Sequence, residues 1–206
     1  MRKAAIALAL GFLGYKGLLF YASTIEHFAF DYSEPNYGRF WANRFWLLLH
    51  IAGGTLALFA GPFQLWSGLR DSHRQIHRWT GRVYIAGVLI GGVAAFYLSF
   101  FSQPRSFGVA LFALAVAWWV TVGAAILAVK QYRIEAHKAW MIRGYVVTFS
   151  FVTFRMLIEL PLWLALGDAR LAVALCLSWV VPLIAIEVVL RSAWPELTAR
   201  DSLRTP

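Results

Sequence analysis

This chain is short of charge and of sulfur. Only 14% of its 206 residues are charged, and only 10 are acidic, against about 25% charged in an ordinary soluble domain. A soluble fold of this size could not hide the 60% of residues that are hydrophobic, so a soluble enzyme or binding module is excluded. The single cysteine, Cys176, rules out an internal disulfide and any cysteine-built metal cluster; inside an apolar run, it reads as packing. There is no Gly-x-Ser-x-Gly element, no Walker motif and no His-Glu-x-x-His motif, so the common hydrolase, nucleotide-binding and metalloprotease signatures are missing. The apolar runs are continuous, which excludes a membrane barrel with its alternating strands. With no low-complexity segment or long linker, the length allows one domain, residues 1–206.

What is present is hydrophobic length. A membrane-crossing helix needs about 20 mostly apolar residues. Six windows meet that need: Ala4–Ser23, Phe45–Trp66, Trp79–Phe101, Phe107–Val129, Ala139–Leu164 and Leu171–Leu190. The sequence therefore predicts an all-α, polytopic membrane bundle of about six spans. Aromatics at 17%, ten of them Trp, suit a protein with two membrane–water interfaces. Between the first two spans, Trp41, Phe45 and Trp46 read as an interfacial belt. Lys16 breaks the first window and no small-x-small cleavage site follows, so that window is expected to be a retained helix, not a signal peptide. Gly61-Pro62 and Pro182 suggest kinks, which membrane helices tolerate. Gly53-Gly54 and Gly91-Gly92 suggest close helix contacts.

The net charge of +9 invites a nucleic-acid reading, but the cations sit in short clusters between apolar runs. The positive-inside rule accounts for such clusters, and no nucleic-acid partner is expected. Eleven fall on one side: Arg2, Lys3, Arg70, Arg74, Arg78, Lys130, Arg133, Lys138, Arg191, Arg200 and Arg204. Four fall on the other: Arg39, Arg44, Arg105 and Arg170. Both termini are thus expected in the cytoplasm.

Two segments resemble each other. His77-Arg78-Trp79-Thr80-Gly81-Arg82-Val83-Tyr84 opens the third span, and His137-Lys138-Ala139-Trp140-Met141-Ile142-Arg143-Gly144-Tyr145 opens the fifth. Each reads His, cation, then Trp, Arg and Tyr, with one residue inserted in the second. This suggests a duplicated helix pair and a four-helix core made of spans two to five. Spans three and five run the same way, so the two histidines enter at one depth. Neutral imidazoles are good iron ligands, and Arg78, Arg82, Lys138 and Arg143 are cations that could meet haem propionates. The opposing reading is of interfacial histidines bonded to loop carbonyls or lipid phosphates. His73 and His77 are four residues apart, on one helical face; with His137 they form a three-histidine metal alternative.

Other polar residues lie within the spans. His50 in the second and Arg155 in the fifth share a depth in the outer half, with Glu159 one turn beyond Arg155. A membrane charge costs at least ~2.5 kcal/mol near the bilayer centre, so such groups face a partner or a wet cavity. A proton relay, a quinone pocket, an outer haem site and a purely structural Arg–Glu pair all fit. His50 is also the replacement axial ligand should His77 and His137 lie too shallow. Lys16 is expected to pair across the bundle or snorkel, Gln64 to bond locally, and Glu187 to pair with Arg191.

His50, Gly61-Pro62-Phe63-Gln64, Leu69-Arg70, the two His…Tyr segments and Thr153-Phe154-Arg155 together resemble the bacterial membrane family called domain of unknown function 2306, over roughly residues 45 to 160. The resemblance implies a bacterial inner-membrane location and roles for these polar positions. The arrangement is loosely similar to cytochrome b561-like and ferric-reductase-like haem bundles, but no helix here carries two histidines. The expected function is a small b-type haem electron carrier with a quinone or other redox partner. A transporter or channel, and a lipid-interacting scaffold, are the alternatives.

Overall fold

In lipid, each backbone N–H must find its acceptor inside its own helix, and the long apolar runs do this in five places. The computed structural model describes residues 26–69, 73–158 and 169–202, with Tyr15, Lys16, Leu19, Ala22, Ser23, Leu166 and Gly167. Its long helices are α1 (Arg44–Leu69), α2 (Arg74–Phe101), α3 (Arg105–Lys130), α4 (Ile134–Ile158) and α5 (Ala169–Ser202). Each is long and apolar enough to cross a membrane, and among the described residues there is no strand. They correspond to the second to sixth windows. The first window lies almost wholly outside the described residues, as does Glu159.

The helices exceed the windows at their polar ends. α2 begins at Arg74, not Trp79, and α4 at Ile134, not Ala139. A hydropathy window stops at the first charged residues, whereas a helix continues into the interface. Both histidines therefore lie inside helices, each as the fourth residue. His77 N–H bonds His73 O and His137 N–H bonds Arg133 O, so each closes a first helical turn. Pro62 lies inside α1.

α1 packs on α2, α2 on α3, α3 on α4, and α4 back on α1, closing a ring of four; α5 lies against α3 and α4. This is the four-helix core expected from spans two to five. Glycine permits its tightest crossing, between α1 and α2. A Cβ on Gly53 would stand 2.7 Å from Gly87 O and from Gly91 Cα, closer than any side chain allows.

Inside the ring, Tyr84, Trp118 and Thr148 meet from α2, α3 and α4. Thr148 Oγ1 receives Trp118 Nε1–H at 2.8 Å and lies 2.8 Å from the Tyr84 hydroxyl. Its own proton goes to Gly144 O at 2.9 Å. At the end where α1 starts, Phe28, Tyr32, Tyr37 and Trp41 form an aromatic cluster. Arg44 lies 4.2 Å over Trp41 and donates to Tyr32 Oη at 2.7 Å, in keeping with an interfacial belt.

Candidate functional site

Closing the ring places α2 and α4 on its diagonal, so side chains at the fourth residue of each approach across the interior. The His77 and His137 rings stand 6.3 Å apart, centroid to centroid, at 84°. His137 Nδ1 is 2.8 Å from Ala125 O, so this nitrogen donates its proton there, and among the described residues Nε2 has no hydrogen-bond partner.

His77 is held by α1. Its Nδ1 is 3.2 Å from Ser67 Oγ, and its Nε2 is 3.1 Å from Gln64 Nε2. Ser67 donates its only proton to Phe63 O at 2.7 Å, so its oxygen accepts from His77 Nδ1–H. His77 Nε2 then accepts from the Gln64 amide. Gln64 Oε1 in turn accepts from the Thr80 hydroxyl at 2.9 Å, a proton shared with Ile76 O at the same distance. The result is one directed chain, Thr80 to Gln64 to His77 to Ser67. Gln64 and Ser67 are 5% and 0% exposed, and two glycines make room for His77 and Gln64. A Cβ at Gly68 would stand 2.9 Å from His77 Cε1, and one at Gly81 3.0 Å from Gln64 Nε2. The expectation that Gln64 bonds locally is corrected: its amide reaches α2. A polar side chain inside an apolar window carries no signal of which helix it will meet.

The remaining sequence-derived residues lie elsewhere. His73 is exposed, in the left-handed conformation at the foot of α2, with its ring stacked on Trp66. The three-histidine set is not assembled, and among the described residues no group of three or more His, Cys, Asp or Glu could hold a metal. Arg82 is exposed and lies 5.0 Å over Trp79; Arg143 lies 4.7 Å over Trp140. The Trp-x-x-Arg pair thus makes the same contact in both repeats. Arg143 turns to α5, where Nε and Nη2 donate to Glu187 Oε2 at 3.0 and 2.7 Å. Glu187 also takes Arg191 Nε at 3.0 Å, so its expected pairing with Arg191 is present and widened to a triad.

His50 faces the other end of the ring. Its Nδ1 lies 2.9 Å from Gly91 O and its ring 4.9 Å from Phe151. Arg155, one turn beyond Phe151, is exposed. His50 precedes Gln64 by fourteen residues, or about 21 Å along α1. It cannot replace either paired histidine at one ligand. Lys16 is half-buried.

The two imidazoles are donors of the kind a haem iron takes. Two imidazoles sharing one metal, each bonded at roughly 2.0–2.1 Å, would place their centroids roughly 6 Å apart, close to the 6.3 Å between these rings. His137 has the arrangement ligating histidines use, with Nδ1 fixed by a carbonyl and Nε2 open. His77 has its Nδ1 fixed by Ser67 in the same way, and Gln64 would exchange its place on Nε2 for the metal.

Helix lengths, hydropathy and the closed ring define a polytopic α-helical membrane protein. The family model described as "Predicted membrane protein (DUF2306)" matches residues 47–190, and the chain belongs to that family. The match runs past the residue 160 expected and takes in α5 to the end of its apolar run. No curated protein and no solved structure matches the chain.

Proposed function

We propose that this protein is a small electron carrier of the bacterial inner membrane, holding one b-type haem between His77 and His137, with both termini in the cytoplasm. The observation that carries the reading is the 6.3 Å approach of two imidazoles from diagonal helices, with Nε2 of His137 unengaged. A bound haem supplies reversible one-electron chemistry. The protein's part is to fix the rings: Ser67 accepts Nδ1–H of His77, and the Ala125 carbonyl accepts that of His137. With haem bound, Thr80 would still hold the Gln64 carboxamide by its oxygen. Arg78 and Arg82 follow His77 on α2 and are exposed, available to propionates. A quinone or another redox partner would exchange the electrons.

The test is optical. The protein expressed with ample haem should show a Soret band and a reduced α band. His77→Ala and His137→Ala should each abolish or shift both. A second reading rests on the directed Thr80–Gln64–His77–Ser67 chain, which suits proton handling in a transporter without haem. Unchanged spectra in both variants, or no bands in the wild type, would favour it.

A further inference from the structure

Between α3, α4 and α5 lies a cavity of about 420 Å³, lined by Thr121, Trp140, Arg143, Leu183, Ile184, Glu187, Val188 and Arg191. Its polar groups cluster at one end of α5. The apolar run of that helix closes at Leu190, so Arg191 stands at the membrane boundary. Glu187 lies one turn inward, and Leu183 and Ile184 one turn further. Ile184 and Val188 are 61% and 66% exposed, which opens the cavity sideways to lipid. On α4, Arg143 lies about 14 Å along the helix from Ile134, and its long side chain can reach the interface.

The charges do not cancel. Glu187 is shared by two arginines, leaving one net positive charge. Glu187 engages Nε and Nη2 of Arg143 and only Nε of Arg191, so each guanidinium keeps N–H groups for another acceptor. Arg191 is 80% exposed at its side chain, while Trp140 holds Arg143 from behind.

We infer that this cavity binds an anionic phospholipid of the adjoining leaflet. Its phosphate meets the free N–H groups of Arg191 and Arg143, and one acyl chain lies along Leu183, Ile184 and Val188. A phosphate accepts from guanidinium forks and restores neutrality, and an acyl chain fills the apolar stretch that a soluble anion would leave empty. The inference is independent of haem, because Arg143 lies about 120° round α4 from His137.

The test uses full-length protein in nanodiscs of phosphatidylcholine containing phosphatidylglycerol, with retained lipid counted by native mass spectrometry. Wild type should retain one phosphatidylglycerol in preference to phosphatidylcholine. Arg191→Gln should lower that preference about fivefold, the effect of one cation near a lipid surface. Val188→Trp, which fills the cavity and leaves the charges intact, should lower it too. Equal retention of both lipids by wild type would overturn the inference. So would loss in Arg191→Gln without loss in Val188→Trp, which marks diffuse surface attraction. Displacement of the lipid by millimolar inorganic phosphate would overturn it in favour of a soluble anion.

Discussion

Replacing Thr148 by valine keeps shape and volume and removes one oxygen. That oxygen is the common acceptor of Trp118 Nε1–H and the Tyr84 hydroxyl, both at 2.8 Å. Thr148, Tyr84 and Trp118 are at most 2% exposed, so neither donor can turn to water. Interhelical hydrogen bonds in membranes are worth about 0.6 kcal/mol on average and up to about 1.7. A buried donor left unsatisfied costs about 1–3 kcal/mol. Two bonds joining three helices therefore place Thr148→Val near 2 kcal/mol of destabilisation. Thr121→Val is the control, since its hydroxyl bonds only carbonyls of its own helix, Ala117 O and Trp118 O, and should cost under about 0.5 kcal/mol. Reversible unfolding in mixed micelles, followed by Trp fluorescence, measures both. Equal stabilities for the two variants would refute the view that this triad joins the helices.

Gly53→Ala should overpack the α1–α2 crossing and cost about 1–3 kcal/mol, whereas Gly54→Ala, whose Cβ meets nothing within 4 Å, should be tolerated in the same unfolding assay. Glu187→Gln should destabilise more than the double variant Arg143→Gln/Glu187→Gln, because a stranded charge costs more than an absent pair; the coupling should be at least about 0.5 kcal/mol, and strict additivity would remove the pair. Gln64→Leu leaves His77 Nε2 without its donor and should move the His77 ring resonances in NMR, while those of His50 stay in place. A reporter fused after Pro206 should be active only when targeted for cytoplasmic function, and periplasmic activity would invert the topology.

The spans were legible because each apolar run is long enough to fix its own structure. The four-helix ring was legible because His-x-Trp and His-x-x-Trp open two parallel helices, which puts equal residues at equal depth. The pairing of His77 with His137 followed from the same repeat. What held His77 was not visible. Gln64 and Ser67 are single polar residues in an apolar run, and only the glycines at 68 and 81 hint that something bulky must fit there. Arg143 was equally ambiguous: its chemistry suits a propionate or a carboxylate, and the choice depends on α5, whose packing on α3 and α4 has no sequence marker. The Arg155–Glu159 pairing lies beyond the described residues, because Glu159 is outside them.

The central claim is that one haem joins α2 to α4 through His77 and His137. Its most direct measurement is haem content together with the reduced-minus-oxidised spectrum of the purified full-length protein. The account predicts about one b-type haem per chain, as one imidazole pair can hold, with a low-spin α band that appears on reduction. A colourless protein with no extractable haem, from cells supplied with the precursor, would contradict it.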